Sequence, residues 1–443
     1  MKRSGWFLLA GALALSPPVA AQEDAAVRVV PPHQESVPDY LRDMLMADVA
    51  AIRVPPPPIE VPKLAMLLHT EPSPDYLAWV GVPEPRPITL PAPPPGRPPA
   101  VVRGLYLNAW VFGSRRFYDL VALADTTEVN ALVMDVKDAT GFLSYRSAVP
   151  TAVAIGANDL VRVADPRARL ALLEAKGIHA IARIVVARDP LLARGKPQWA
   201  VHDTNGGLWR DGLGKPWVDA FHDSVWIYAA EIAAEAVLMG FKEIQFDYVR
   251  FPDEPRERME RAMFPARMGQ ESKRAAVRRQ VALLKEEVGR LGVPFTLDVF
   301  GLTTSAGGSM GIGQNWDDLS ELADVLLPMV YPSHYPRGSY GIPYPNAEPY
   351  LVVRRALEDG VLRSQRLRDP ARIRPYLQAF TLRRPRYTAA EVRAQIQAVE
   401  DVGLTDWVLW NASGRYPAAA LRSDLRSSDA VLGPIASPND PER

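Results

Sequence analysis

The sequence predicts an α/β protein built as a (β/α)8 TIM barrel, with a signal peptide and a proline-rich extension before it. Eight short apolar runs alternate with helical patterns over about 310 residues, which matches this barrel in number and size. The runs are apolar almost throughout, as in a parallel sheet buried on both faces. An open doubly wound sheet is the alternative, but the first run ends in Asn108-Ala109-Trp110, where that fold places a glycine-rich phosphate turn.

Composition limits the classes of function. The chain has 443 residues, a formal net charge of zero and no cysteine. The zero net charge argues against nucleic acid as a partner. The lack of cysteine excludes disulfides, thiolate metal sites and cysteine nucleophiles. The histidines show no His-Glu-x-x-His spacing and the glycines form no Walker-type loop, so we expect no cofactor and no metal site, with a carboxylate-held divalent cation as the alternative.

Residues 1–21 have the three parts of a secretory signal. Lys2 and Arg3 begin the segment, an apolar run starts at Trp6, and small residues precede a cleavage position after Ala21. The alternative is a membrane anchor, but the apolar run is about half of the roughly 20 residues that a spanning helix needs. We therefore expect export to a bacterial periplasm or beyond, with no stable membrane span after cleavage.

Residues 22–99 form a proline-rich extension. Between positions 55 and 99, 16 of the 45 residues are proline. Proline fixes φ and lacks an amide donor, so this composition favours extended polyproline II and predicts a semi-rigid linker. A strap packed on the following domain, or a ligand for an aromatic groove, is the alternative. The barrel is expected over 100–422, with a polar tail over 423–443.

The eight strands are predicted from short, β-branched apolar runs. They are Val101–Trp110, Ala131–Lys137, His179–Ala187, Glu243–Arg250, Pro294–Gly301, Asp324–Tyr331, Ile373–Phe380 and Asp406–Asn411. Several of the helical patterns between them end in glycine, which suits a left-handed helix cap. The clearest helices are Arg167–Lys176, Asp223–Met239, Ser272–Leu291, Tyr350–Arg363 and Ala389–Val402.

A tryptophan-rich stretch fills the long third connection of the predicted barrel. It carries Trp199, Trp209, Trp217 and Trp226 between the third and fourth strands. Long loops of this kind at the end of a barrel are frequently functional. We expect a loop over the barrel mouth, either as a substrate platform or as a packed lid without a ligand.

Polar residues gather where the predicted strands end, and barrel active sites lie at the carboxyl ends of the strands. The amino-terminal halves of the strands are mostly Val, Ile, Leu and Ala. Buried polar groups cost free energy unless they serve each other or a ligand, so the set predicts a ligand site. The candidates are Asn108, Trp110, Asp135, Lys137, Asp138, Arg183, Gln245, Asp247, Arg250, Asp298, Tyr331, His334, Gln378, Trp410 and Asn411.

The carboxylates in this set point to glycoside hydrolysis, which needs one protonated and one ionised carboxyl group beside the bond. An apolar wall raises the pKa of one carboxyl group, while a nearby cation keeps the other ionised. Strand alternation places Asp135 and Lys137 on one face of the second strand. We expect Lys137, Arg183 and Arg250 to supply the cationic bias, and the aromatic side chains to hold sugar rings.

Several strings carry a family resemblance, above all Asn130–Asp138 and the Phe-Asp-Tyr-Val-Arg-Phe-Pro string at 246–252. Over residues 100–415 the chain resembles the bacterial putative glycoside hydrolase domain family, a domain of unknown function. That family's barrel is distantly similar to α-amylase-type and α-galactosidase-type hydrolases. The resemblance implies that Asp247, which ends the fourth strand, is the nucleophile. Amylase-like enzymes carry a Glu on strand five, where this chain has Asp298.

Together these observations predict an exported glycoside hydrolase that acts on a polysaccharide or cell-envelope glycan by a retaining, two-carboxylate mechanism. Asp247 attacks the anomeric carbon, Asp298 protonates the leaving oxygen and later activates water, and Asp135 is the reserve candidate for the acid. One alternative is a catalytically inactive glycan-binding or scaffold barrel. Another is a carbonyl or phosphate chemistry on the same fold.

Overall fold

A computed structural model describes residues 99–423 of the protein. Eight parallel strands pair in sequence order, and the last also pairs with the first, so the sheet closes into a barrel. This arrangement confirms the predicted (β/α)8 fold. The strands are β1 Arg103–Leu107, β2 Ala131–Lys137, β3 His179–Val185, β4 Glu243–Asp247, β5 Phe295–Phe300, β6 Val325–Met329, β7 in two segments (Arg372–Ile373 and Tyr376–Gln378) and β8 Trp407–Trp410.

Helices surround the barrel, and the five that the sequence predicts most clearly begin and end within two residues of their predicted bounds. The helices are α1 Ala109–Gly113, α2 Arg116–Thr126, α3 Pro150–Ala154, α4 Pro166–Ala175, α5 Pro190–Gly195, α6 Asp223–Met239, α7 Arg256–Met259, α8 Lys273–Gly289, α9 Trp316–Ser320, α10 Pro349–Ser364 and α11 Ala389–Asp401. Gly177 and Gly240 follow α4 and α6 with φ of 66° and 127°, as the left-handed caps require. The predicted signal peptide, nearly all of the proline-rich extension and nearly all of the tail lie outside the described residues.

The first strand is shorter than the sequence predicts. It ends at Leu107, because the Asn108 side chain accepts the Val111 backbone N–H at 2.8 Å and caps α1. Trp110 therefore lies on a helix at the barrel mouth and not on a strand. No helix within residues 99–423 has both the length and the apolar character to cross a membrane.

The sheet separates two apolar layers. Inside the barrel, Val133, Ile181, Leu327 and Val408 belong to a small buried cluster. A larger cluster fills the space between the outer face of the sheet and the helices. This inside-outside alternation follows the period of two along each strand, and it directs the polar residues of the inner face towards the barrel axis.

The amino-terminal end of the barrel is closed by a buried ion cluster. Glu243 of β4 accepts a hydrogen bond from Arg374 and lies 3.0 Å from Nε2 of His179. Burial would raise the pKa of Glu243, but Arg374 and His179 lower it to about 2. The cluster lies at the start of the strands, where barrel residues serve stability.

The long third connection lies over the barrel mouth. Its residues His202–Asp203 pair antiparallel with Ala262–Met263. Trp209 is buried, and its indole N–H donates to the Arg258 carbonyl at 3.0 Å. Trp217 is also buried, and its indole N–H donates to Asp211. The tryptophans of this connection that face inward are therefore held by hydrogen bonds, as in a packed lid.

Candidate active site

Arg183 is the centre of the polar cluster at the barrel mouth. Its guanidinium donates to Asp135 Oδ1 at 2.6 Å and to Asp247 Oδ2, and its Nε lies 3.5 Å from Asp298 Oδ2. The residue is only 7% exposed. Burial opposes the guanidinium charge, but Asp135 and Asp247 raise the pKa of Arg183 well above its usual value. The three predicted carboxyl groups of β2, β4 and β5 therefore meet around one permanent cation.

Asp298 has the environment of a protonated acid. It is 1% exposed, and its Oδ2 accepts a hydrogen bond from the Gln245 side chain at 3.0 Å. Its Oδ1 is buried and has no hydrogen-bond partner within the described part of the chain. Burial, and then the charge of Asp247, raise the pKa of Asp298 well above its usual value. Gln245 is in turn fixed by Tyr376, whose hydroxyl lies 2.8 Å from its amide nitrogen.

Asp247 has the environment of an ionised carboxylate. Its Oδ2 accepts from Arg183, and its Oδ1 accepts the backbone N–H of Tyr248 at 2.5 Å. Tyr248 has a φ of 54°, which is uncommon for a residue with a side chain. Strained backbone of this kind clusters at functional sites, and here it directs an amide towards the carboxylate.

Asp135 contacts Arg183 but lines a different cavity from Asp247 and Asp298. Its Oδ2 accepts from the Tyr106 hydroxyl at 2.6 Å, and its Oδ1 accepts from Arg183. Burial raises the pKa of Asp135, although Arg183 opposes that shift. Because both of its oxygens are engaged by protein donors, Asp135 is better suited to hold Arg183 in place than to protonate a leaving group.

Two cavities meet at Arg183, which lines both of them. The inner cavity, of about 20 Å³, has room for about one water molecule. It is lined by Arg183, Asp247, Tyr248, Arg250, Asp298, Phe300, Met329, Tyr331, Tyr376 and Trp410. The outer cavity, of about 230 Å³, carries Asp135 and three more of the predicted residues, Asn108, Trp110 and Asp138. Asp247 and Asp298 therefore face the same cavity.

Arg250 lines the inner cavity inside an aromatic enclosure. Its guanidinium carbon lies 4.6 Å from the ring centres of Tyr248 and Phe300 and 5.3 Å from that of Trp217. Its Nη1 donates to the Phe251 carbonyl at 3.0 Å. Burial lowers the pKa of Arg250. Trp217 belongs to the long third connection, so the lid contributes one wall of this enclosure.

A stacked aromatic pair forms another wall of the site. The rings of Tyr106 and Trp410 lie 5.6 Å apart at an interplanar angle of 16°. Tyr331 packs against Trp410 at 5.9 Å, and Phe380 packs against Trp410 at 5.0 Å. Flat, rigid side chains of this kind provide large apolar faces with few torsions to fix.

The prediction that Asp135 and Lys137 share one face of the second strand is wrong. The pairing of β2 with β3 shifts between these two residues, so that Asp135 pairs with Arg183 while Lys137 pairs with Ile184. A bulge of this kind reverses the alternation of side chains. Lys137 Nζ therefore points out of the barrel to Asp189 at 2.7 Å, beside the Tyr228 ring, and does not bias the carboxyl groups of the site.

Three further predicted residues hold loops together and line neither cavity. Gln378 accepts the Ser333 N–H at 3.0 Å. Asn411 donates to the Ala379 carbonyl at 2.6 Å. His334 packs against Tyr331, and burial lowers the pKa of His334 to about 3, so its imidazole is neutral. Contact of these residues with a substrate stays a prediction.

The structure also adds residues that the sequence prediction left out. Tyr106 and Tyr376 hold Asp135 and Gln245, and Phe300 and Met329 line the inner cavity. Tyr106 lies two residues before Asn108, so in the predicted first strand the two side chains face the same side. Strand alternation was therefore a signal that could have identified Tyr106. Within residues 99–423, no three His, Asp or Glu side chains are arranged to hold a metal ion.

The family and structural comparisons agree with this architecture. The family model described as "Putative glycosyl hydrolase domain" matches residues 104–416. The PgaB (BpsB) glycoside hydrolase domain from Bordetella bronchiseptica is 13% identical over 71% of this chain and 95% of its own, with a TM-score of 0.50, which shows the fold. No curated protein matches the chain.

Two other solved structures are similar over part of the chain. A hypothetical protein from Ruminiclostridium thermocellum ATCC 27405 is 38% identical over 41% of this chain and 92% of its own, with a TM-score of 0.38. TtGalA, an alpha-galactosidase from Thermus thermophilus, is 18% identical over 71% of this chain and 58% of its own, with a TM-score of 0.41.

Proposed function

The chain belongs to the putative glycosyl hydrolase domain family, and from that premise we propose that it hydrolyses a polysaccharide or cell-envelope glycan with a pair of carboxyl groups. The observation that carries the proposal is that Asp247 and Asp298 line one cavity in unlike surroundings. Asp298 has a raised pKa and a buried oxygen without a hydrogen-bond partner in the described part of the chain. Asp247 accepts hydrogen bonds from the Arg183 guanidinium and from the Tyr248 backbone N–H. Two carboxyl groups with opposed protonation are what the reaction requires.

Asp298 is the general acid of this proposal. Its raised pKa favours the protonated form of the carboxyl group, and its Oδ1 has no protein acceptor among residues 99–423. A glycosidic oxygen in the inner cavity would accept that proton as the bond to the anomeric carbon breaks. Gln245 and Arg183 hold the other oxygen, so the acid is fixed in orientation.

Asp247 is the nucleophile. In the first step its carboxylate forms a bond to the anomeric carbon, the glycosidic C–O bond breaks, and the leaving oxygen takes the proton of Asp298. In the second step Asp298 removes a proton from water, whose oxygen bonds to the anomeric carbon and releases Asp247. The product keeps the anomeric configuration, because each step inverts it once.

Arg183 and Asp135 are positioning residues in this mechanism. Arg183 binds all three carboxyl groups, and Asp135 with Tyr106 fixes the guanidinium from the side of the outer cavity. The fixed positive charge offsets the negative charge of Asp247 before attack, which is the kind of prearranged electrostatics that catalysis uses.

The inner cavity must widen to admit a sugar ring, because its volume has room for only about one water molecule. Phe300 and Met329 are its partly exposed lining residues. The small volume is also the observation that favours the alternative function, a barrel that binds a glycan in its outer cavity without cleaving it.

Export is part of the proposal and is supported by the amino-terminal sequence alone. Lys2, Arg3, the apolar run and the small residues before Gln22 have the order of a cleaved signal. An exported hydrolase of this kind meets glycans of the cell envelope or the surroundings.

The proposal is tested by measuring new reducing ends after incubation with a panel of polysaccharides and purified envelope glycans. We expect Asp247→Asn and Asp298→Asn to lower turnover by at least about a thousandfold with natural glycans, because each removes a group that acts in the transition state. Asp119→Asn, an exposed change on α2, is the matched control and should keep full activity.

Glycan binding without release of reducing ends across the panel would support the non-cleaving alternative. Full activity of either site variant would remove that residue from the mechanism.

A further inference from the structure

The outer cavity has an excess of positive charge. Its lining includes four cationic side chains but only two carboxylates, Asp135 and Asp138. Both carboxylates already have arginine partners, since Asp135 binds Arg183 and Asp138 lies 3.0 Å from Arg162. The carboxylates of the cavity therefore do not neutralise its remaining cations.

Two of those cations have no counter-ion. Arg194 at the end of α5 and Lys215 in the lid are exposed, and neither forms an ion pair or a side-chain hydrogen bond within residues 99–423. A third, Arg188, is buried, with its Nε 3.8 Å from Asp211. The β3–α5 connection, α5 and the lid thus each contribute a cation to the cavity lining.

The inner cavity contains one further cation, Arg250, although its lining as a whole has two arginines and two aspartates. Arg250 is 5% exposed and lines the cavity, yet no carboxylate of the described residues lies within 4.0 Å of its guanidinium nitrogens. A buried cation is costly unless an anion or hydrogen bonds compensate it. The three rings around Arg250 and its hydrogen bond to the Phe251 carbonyl compensate part of this cost. The charges of Asp253 and Asp247 also favour the cation, but burial outweighs them and lowers the pKa of Arg250.

We propose that this chain binds glycans that carry anionic substituents, and that Arg194 and Lys215 with Arg250 form the subsites for those charges. The inference rests on the proposed hydrolase function and deepens it, because it names the class of sugar. Carboxylate and phosphate groups share the required chemistry, namely a compact negative charge with several acceptor oxygens. The volume of about 230 Å³ lies below the 300–1,000 Å³ of pockets for drug-sized ligands, which suits a single sugar unit.

The test uses three ligands that share one ring: glucose, glucuronate and glucose 6-phosphate. Binding to the full-length wild type is measured by calorimetry or ligand-observed NMR at low and high salt. We expect one or both acidic sugars to bind at least tenfold more tightly than glucose. The arm that binds more tightly distinguishes carboxylate from phosphate as the source of the charge. Added salt should reduce the difference, because the two rim cations are exposed.

The double variant Arg194→Gln/Lys215→Gln tests the rim directly. We expect it to weaken binding of the preferred acidic sugar about two- to thirtyfold, because it removes both exposed rim cations and each exposed ion pair contributes little on its own. The control Arg146→Gln/Arg368→Gln removes the same charge from exposed positions that line neither cavity, and it should bind like the wild type.

Equal binding of the three ligands, or no detectable binding of any of them, would overturn the inference. Unchanged affinity in the Arg194/Lys215 double variant would also overturn it. The measurement does not depend on turnover, so the two proposals fail separately. Hydrolysis without charge preference contradicts only the anionic subsites, and charge preference without hydrolysis contradicts only the hydrolase.

Discussion

At the scale of single residues, the site gives two aspartates different roles through their surroundings. Asp298 is buried beside Gln245 with one oxygen unpartnered, whereas Asp247 accepts from Arg183 and a backbone amide. Desolvation and the neighbouring negative charge both favour the protonated form of Asp298. The difference between acid and nucleophile therefore lies in the environment, since the residue type is the same.

The pH dependence of kcat/KM should report this difference. An acid must carry its proton, so activity should fall about tenfold per pH unit above the pKa of Asp298. Burial and the charge of Asp247 raise that pKa, so the alkaline limb should lie well above the value of about 3.9 for an ordinary aspartate. The measurement is a pH-rate profile on any glycan that the panel shows to be cleaved.

The matching variant is Asp298→Asn, whose residual activity should lack the alkaline limb when measured on an aryl glycoside with a good leaving group. An unchanged limb in that variant would assign the titration to another group and contradict Asp298 as the acid.

Side-chain direction was the part of the site that single-residue reasoning predicted least well. The polar types at the strand ends were sufficient to predict that Asp135, Asp247 and Asp298 converge with Arg183. They were insufficient to predict the direction of the Lys137 side chain. The bulge after Asp135 depends on the register with a neighbouring strand, and no local sequence pattern indicates it.

At the scale of elements, the two ends of the strands serve different purposes. Glu243, at the start of β4, is held by Arg374 and His179 at the closed end of the barrel. Asp247, at the end of the same strand, lines the cavity. One strand of five residues thus carries a stabilising group and a reactive group.

Glu243→Gln should lower the free energy of unfolding by about 3–5 kcal/mol, because it leaves buried Arg374 with only the Asp406 carboxylate, 3.7 Å from its Nε. Glu286→Gln, which removes an exposed partner of Arg290, should change it by less than about 1 kcal/mol. Denaturant unfolding monitored by circular dichroism measures both.

The contribution of Glu243 should also depend on pH. Its folded pKa of about 2 lies below its ordinary value, so the stabilisation is present above about pH 4.5 and is lost as the pH falls towards 2. Equal stability of the Glu243 and Glu286 variants at pH 7 would show that the closed end does not depend on this ion cluster.

Strands and helices were predictable because their signals are local. Alternating apolar runs and glycine caps predicted five helices to within two residues at each end. The first strand was overextended, because the capping bond from Asn108 to Val111 replaces strand by helix within an apolar segment. Gln378 and Asn411 hold loops through hydrogen bonds, and their contact with a substrate stays a prediction, because loop contacts and ligand contacts use the same polar residue types.

At the scale of the whole molecule, closure of the barrel brings the site together. Asp135, Arg183, Asp247 and Asp298 come from four neighbouring strands, and parallel pairing places all of their carboxyl ends at one rim. The number and size of the repeats were enough to predict that closure. The sizes of the two cavities were not predictable, because they depend on how the lid packs across the mouth.

Export is a prediction for the whole chain. Expression of the full sequence in a Gram-negative bacterium should give a periplasmic protein whose first residue is Gln22, identified by intact mass and amino-terminal sequencing. Leu9→Arg should retain the precursor in the cytoplasm, because a charge interrupts the apolar run. A periplasmic or secreted product that keeps Met1 would contradict cleavage.

The central claim is that Asp247 forms a bond to the substrate while Asp298 handles the proton. It is tested most directly by mass spectrometry of Asp298→Asn enzyme, quenched in acid during turnover of an aryl glycoside. The good leaving group needs no acid, while the missing base slows hydrolysis of the intermediate. We predict a peptide that carries one glycosyl unit on Asp247. An adduct on another residue, or turnover to a product of inverted configuration without any adduct, would contradict the account.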